Sequence, residues 1–241
     1  MNRKNIKVFG FIGSMRGKKS IGYQTITKFL KGKEWNDAET QIEIITANQA
    51  NINVCLGCCN CFNLGICPLE TKDDMQQIKQ KLLEADVIII SSPVYLHHLS
   101  GVAKTFLDRI SHWAHTFNLI GKRVIVCSTT DTSGNEYVTS YLKKAMSSFG
   151  GLVVGELNVN LMKTEEELIK DFEVINNSLY ESYKNPKACK VTSFQQQLFY
   201  TLKNIYLKNP NTYEAKYWKE HNLFEYLSFE DLLHEYLNKN S

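Results

Sequence analysis

The chain has little of what marks the specialised classes of protein. Its formal net charge is only +3 and it holds no basic run, which argues against a nucleic-acid partner. No apolar run approaches the ~20 residues of a membrane span. The short apolar patch near the N-terminus ends at Ser14, too early for a secretory leader. No low-complexity segment occurs, and no repeat beyond an alternation of strand-like and helix-like stretches. What remains is ordinary: 43% hydrophobic and 22% charged residues in 241, enough for one sizeable core or one core with an appendage. The expected setting is the cytoplasm, without a membrane partner. There, clustered cysteines point to metal or redox chemistry before disulfides.

Five of the seven cysteines fall in the loop 55–67, Cys55-Leu-Gly-Cys58-Cys59-Asn-Cys61-Phe-Asn-Leu-Gly-Ile-Cys67, followed by Pro68. Cys55, Cys58, Cys61 and Cys67 read C-x2-C-x2-C-x5-C, so four sulfurs of one loop can converge, with Gly57 and Gly65 supplying tight turns. Such a set suits a [4Fe-4S] cluster, in which each iron takes one thiolate. A zinc site and plain reduced thiols stay open beside it, although the spacing is not that of a zinc ribbon. Cys59 breaks no ligand spacing and can either point away or substitute for a neighbour, Cys127 sits on an expected strand and Cys189 is isolated.

Strand-like runs at Ile6–Ile12, Gln41–Thr46, Asp86–Ser91, Arg123–Ser128 and Leu152–Leu157 alternate with helix-period stripes. The third is nearly all β-branched, as a parallel strand covered on both faces should be. Gly150-Gly151 ends the fourth helical stripe. The pattern predicts an α/β fold: a doubly wound, five-stranded parallel sheet, in order 2-1-3-4-5, with its ligand beyond the carboxyl ends of the strands. Residues 1–185 make this domain. Residues 186–241 carry no strand-like run and read as a helical extension, with helices over Ser193–Leu207 and Phe229–Leu237 and a break at Asn209-Pro210-Asn211.

Three loops at those strand ends are candidate cofactor contacts. The first, Gly10 to Thr25, enters a helix and offers Ser14, Arg16, Ser20, Gly22 and Tyr23. It fits neither G-x-G-x-x-G nor a Walker A loop, and a hydroxyl-rich turn with an arginine suits a terminal monophosphate such as that of FMN. A capped turn with a surface arginine is the plainer alternative. The second loop follows the buried strand; Pro93 would fix its turn, and backbone at Pro93, Val94 and Tyr95 would meet a flavin edge. The third, with Ser128, Thr129, Thr130 and Gly134, is rich in donors for a flavin's polar side. His97 and His98 read as a solvated pair, and Lys104 and Asp108 as an i,i+4 surface pair. The tail aromatics, Tyr213, Tyr217 and Trp218 among them, read as packing against the domain before a flavin lid or an oligomer contact.

Taken together, Gly13-Ser14-x-Arg16, the cysteine loop running into Asp73-Asp74-Met75, Glu84-Ala85-Asp86-Val-Ile-Ile-Ile-x-Ser-Pro93-Val94-Tyr95, and Ser100-Gly101 with Lys104, Phe106 and Asp108-Arg109 resemble the NADPH-dependent FMN reductase group of flavodoxin-like proteins. The cysteine spacing resembles the iron-sulfur flavoproteins within it. The resemblance spans about residues 5–180 and implies a flavodoxin-like fold, bound FMN, electron transfer and assembly as a homodimer or homotetramer. It departs at Met15, where relatives often carry proline, and at Gly22, near their asparagine.

Two functions follow as expectations. In the first, NAD(P)H is the co-substrate of an FMN-dependent oxidoreductase that reduces a small acceptor: a quinone, a free flavin or an electrophile. No catalytic side chain is required, because the cofactor carries the chemistry. In the second, the chain is an electron carrier whose cluster on Cys55, Cys58, Cys61 and Cys67 is reduced by ferredoxin. A domain that has lost its flavin is a third class, against which the polar loops argue.

Overall fold

A computed structural model describes residues 6–32 and 40–239. Its strands are β1 (Lys7–Ile12), β2 (Gln41–Thr46), β3 (Val87–Tyr95), β4 (His98–Leu99), β5 (Arg123–Thr129) and β6 (Leu152–Val159). Five of them form a parallel sheet in the order β2-β1-β3-β5-β6, which is the predicted 2-1-3-4-5 winding. Two-residue β4 pairs antiparallel with the end of β3, Val94 opposite Leu99 and Tyr95 opposite His98.

The helices are α1 (Ile21–Leu30), α2 (Asn60–Asn63), α3 (Met75–Glu84), α4 (Gly101–Arg109), α5 (Trp113–Thr116), α6 (Asn135–Ser148), α7 (Glu165–Lys184), α8 (Ser193–Lys208), α9 (Tyr213–Glu220) and α10 (Phe229–Lys239). Strand alternation divides the core. Phe9, Phe11, Ile88, Ile90, Val124 and Val126 face α3, α4 and α6, where Met75, Ile78, Phe106 and Leu142 meet them. Val8, Ile12, Val87, Ile89 and Ile125 face α1 and α7, against Ile26, Phe29, Ile175 and Leu179. Val87 through Ile90 are wholly buried, each contributing about 1.5–3 kcal/mol. α6 ends where Gly150 takes φ +95°, as the Gly150-Gly151 pair predicted.

The third strand outruns its predicted end at Ser91. Backbone pairing with β5 carries it to Pro93 opposite Thr129, and β4 then takes Val94 and Tyr95. Pro93 therefore lies in the strand, and the turn falls at Leu96-His97, both at positive φ (50° and 58°) as a two-residue hairpin loop requires.

The two tail helices lie where the sequence put them, and a third, α9, stands between them. Phe199, Trp218, Phe229, Leu232 and Leu237 form a core with Phe117, Ile120 and Leu152 of the sheet domain. Trp218 is fully buried, so the tail's aromatics pack inward as expected, though Tyr213 and Tyr217 stay half-buried.

Candidate cofactor site

The first strand-end loop is built by close approach. Gly13 N donates to Ser91 O at 2.7 Å, and a Cβ on Gly13 would stand 2.6 Å from Ala103 Cβ, so α4 lies directly against the turn. Ser100 Oγ donates to Gly13 O (2.6 Å) and, as N-cap of α4, accepts from Ala103 N (3.2 Å). Ser14 is buried, its Oγ accepting from Arg16 N. Ser20 Oγ donates to Gly17 O (2.7 Å) and accepts from Tyr23 N (3.3 Å), capping α1. The amides of Ile21 and Gly22, in the first turn of α1, have no partner inside the helix. The Arg16 side chain is exposed and unpaired among the described residues. Free amides at a positive helix end beside an unpaired guanidinium fit a phosphate.

Gly22 serves packing as well: a Cβ there would meet the buried Ser91 Oγ at 2.7 Å. Tyr23 packs its ring against the core under α1.

The second and third loops lean on each other. Ser92 Oγ accepts from Ser100 N (3.0 Å), tying β3 to the start of α4. Pro93 and Val94 are half-buried; Tyr95 is exposed and Leu96 wholly so. Gly134, at φ +96°, passes so near that a Cβ would stand 2.9 Å from Val94 Cγ1 and 3.0 Å from His97 Cδ2. Asn135 Nδ2 donates to Ser128 O (3.0 Å) and Oγ (2.7 Å), while Ser128 Oγ lies 2.9 Å from Asn158 Oδ1. The Ser128 hydroxyl is thus engaged inward and fully buried, and Thr129 is buried beside it. Thr130 Oγ1 donates to Ser133 O, shaping the loop tip. His97 and His98 are both exposed, as expected, with His97 stacked on Tyr137 (5.5 Å) and His98 tilted against Tyr141 (5.1 Å) of α6.

The cysteine loop has a stem and a crown. In the stem, Asp74 N donates to Asn51 O (2.9 Å), Asn51 N to Asp74 Oδ2 (2.7 Å) and Asn53 N to Asp73 Oδ2 (2.9 Å). Arg109 of α4 closes it, donating to Asn53 O (3.0 Å) and pairing with Asp73; both side chains are 0% exposed. Burial alone would raise the Asp73 carboxyl, but the hydrogen bonds from Arg109 and from the Asn53 and Met75 amides outweigh it and hold it below the usual range. Arg109 Nε is buried without a partner among the described residues. This clamp escapes a reading of local pattern, because its partners are 36 residues apart. Lys104 and Asp108 pair on the surface, as predicted.

In the crown all the thiols are free: Cys55, Cys58 and Cys59 exposed, Cys61 and Cys67 half-buried. Gly57, Cys59 and Gly65 bend it at positive φ. The Cys61 thiol is pushed up by burial and then by Cys67 and Cys55, which marks those three sulfurs as electrostatic neighbours. Among the described residues, no three His, Cys, Asp or Glu side chains are gathered as a ligand shell. By donor chemistry alone, four thiols in one loop suit a soft-metal or iron-sulfur group. Cys127, by contrast, is a core residue whose thiol burial pushes up to about 12, and Cys189 is buried under the tail.

Comparison with known proteins agrees with this geometry. The model of the NADPH-dependent FMN reductase family matches residues 6–166. An iron-sulfur flavoprotein of Archaeoglobus fulgidus is 26% identical over 230 residues, covering 89% of this chain and 98% of that protein. Among solved structures, an apo NADH:FMN oxidoreductase superposes with a TM-score of 0.56 at 16% identity, over 77% of this chain and 95% of the other. An FMN-dependent NADH-azoreductase from Bacillus anthracis in complex with FMN gives 0.53 at 17% identity, over 73% of this chain and 98% of the other.

Proposed function

The chain belongs to the NADPH-dependent FMN reductase family and is an FMN-dependent oxidoreductase; we propose that it takes electrons from NADH or NADPH and passes them to a small quinone, flavin or electrophile. The observation that carries this reading is the first loop: first-turn amides of α1 at Ile21 and Gly22 without a helical partner, preceded in the same turn by Arg16, exposed and unpaired among the described residues, at the carboxyl end of β1. These groups would hold the FMN phosphate, with Ser14 and Ser20 fixing the turn. Pro93–Tyr95 and Thr130–Gly134 would border the ring system, Tyr95 supplying an exposed aromatic face. FMN bound there would supply hydride acceptance from the nicotinamide and electron delivery to the acceptor. The protein's part is to orient both molecules and exclude water between them. The test is anaerobic mixing of FMN-reconstituted protein with NADH and, separately, NADPH. Bleaching of the flavin band by either is expected; inertness to both removes the nicotinamide from the scheme.

A second reading adds a [4Fe-4S] cluster on Cys55, Cys58, Cys61 and Cys67, reduced by ferredoxin. It is favoured by free thiols in a loop anchored at its stem and by the likeness to an iron-sulfur flavoprotein of Archaeoglobus fulgidus. Anaerobic purification with about four irons and matching sulfide per chain is its signature. Neither iron nor sulfide in that preparation would leave the loop as structure. Assembly as a homodimer or homotetramer fits the exposed Val54, Leu56, Leu64 and Ile66 of the crown, and sedimentation tests it. No described helix is long and apolar enough to cross a membrane.

A further inference from the structure

The tail meets the cysteine loop directly through Tyr213 and, by way of α5, through Glu214, both on α9. The Tyr213 ring lies so close over Gly65, itself at φ +73°, that a Cβ on Gly65 would overlap the ring. The next residue, Glu214, is largely buried, its Oε1 2.6 Å from Nδ1 of His115 on α5. The His115 ring in turn meets the Phe62 ring edge-on at 4.9 Å. Trp218 Nε1 donates to His115 O (2.8 Å), so α9 grips α5 by backbone as well as side chain.

Phe62 and Gly65 lie between Cys61 and Cys67. That segment holds little order of its own: α2 is a single four-residue turn, and Asn63, Leu64 and Ile66 are exposed. A helix so short is unstable alone, and fixing each backbone residue costs about 1–2 kcal/mol. We propose that α9 is a positioning element for the cysteine loop, Tyr213 acting through Gly65 and Glu214 through His115 and Phe62 to hold Cys61 and Cys67 in their working arrangement. The working arrangement, not the contact, rests on the cluster reading above.

The experiment uses the full chain with FMN bound, comparing wild type with Tyr213→Ala, Glu214→Gln and Tyr213→Phe. Mass-mapped alkylation of the reduced, iron-free protein gives the rate at Cys61 and Cys67; hydrogen exchange reports amides 60–66, 194–207 and 230–238; iron and sulfide are counted after anaerobic reconstitution. Tyr213→Ala is expected to raise alkylation at Cys61 and exchange at 60–66 by roughly tenfold, to lower retained iron, and to leave FMN occupancy unchanged. Glu214→Gln should give a smaller change of the same sign, and Tyr213→Phe should restore wild-type values. Unchanged alkylation and exchange in both Tyr213→Ala and Glu214→Gln overturns the proposal. So does exchange that accelerates equally in α8 and α10, which would mean only that the tail's core had loosened. If the wild type retains no iron, the cluster reading fails while alkylation and exchange still decide whether α9 positions the loop.

Discussion

Gly13 and Gly57 both lie in loops at the carboxyl edge of the sheet, in opposite surroundings. A side chain on Gly13 would strike Ala103 and the Ser91 carbonyl, whereas one on Gly57 would meet nothing within 4 Å. The contrast extends to the regions around them. The first turn is bonded to the second loop through Ser91 and Ser100, the third loop is braced on itself by Asn135 and packs on Val94 and His97 at Gly134, and their shape follows from the strands that deliver them. The cysteine crown is exposed, and the buried ion pair at its stem and α9 at its side hold it from outside. One site is therefore fixed by the sheet, the other by long-range contacts, and the two should fail differently when those contacts are cut.

The strongest break is Arg109→Met. It leaves the Asp73 carboxylate buried without its cation, a loss of about 3–5 kcal/mol in such cases. Urea unfolding measures it, and exchange in the cysteine loop should respond before exchange in the phosphate turn. A loss below about 1 kcal/mol would mean that the stem does not depend on this pair.

Acid offers a second break. Burial, then Lys79 and His115, lower His112 from 6.5 to about 4, and its Nδ1 has no partner among the described residues. A histidine kept neutral in the folded state costs stability as pH falls through the unfolded value, because only the unfolded chain takes up the proton there. Stability should drop by about 3 kcal/mol between about pH 6.5 and pH 4, then level off for this group. Asp73 acts lower down: its depressed folded value gives stability that is complete above about pH 3.9 and lost as pH falls through the folded value. His112→Phe should flatten the upper slope in pH-dependent urea unfolding and leave the lower one; an unchanged upper slope assigns it elsewhere.

On the other side of the contrast, Gly134→Ala tests the cradle. The new methyl would press on Val94 and His97 at a φ of +96°, for an expected cost of about 1–3 kcal/mol. FMN affinity, followed by fluorescence titration, should fall, while alkylation of Cys61 stays at the wild-type rate. Movement of both together would show that the two sites are not independently supported.

The same division explains what could be read without coordinates. The five parallel strands are legible because Val87 to Ile90 and their neighbours are apolar enough to be buried on both faces, and the serines and glycines of the cradle lie within a few residues of strand ends. The extension of β3 beyond Ser91 is not legible, since Pro93 and Tyr95 are strand only through pairing with β5 and β4. Nor is α9, eight residues whose burial depends on Phe117 and Phe199. Arg109 looks like a surface residue of its helix until Asp73 arrives, and Gly65 like any turn glycine until Tyr213 covers it.

The smallest effect sharpens the comparison most. Lys104 lies five residues before Arg109 on α4, and both are cations paired with an aspartate. The Lys104–Asp108 pair is 41% exposed on each side, so water screens it and such pairs contribute about 0.2–1 kcal/mol. Lys104→Met should therefore cost at most about 1 kcal/mol, with loop exchange, Cys61 alkylation and FMN affinity unchanged. If instead it loosened the loop as Arg109→Met does, positive charge on α4 in general would hold the crown, and the buried geometry at Asp73 would lose its special role. A stability loss without any change in the loop would point to Lys104 packing along α4. Only a near-silent Lys104→Met beside a damaging Arg109→Met assigns the stem to one desolvated pair.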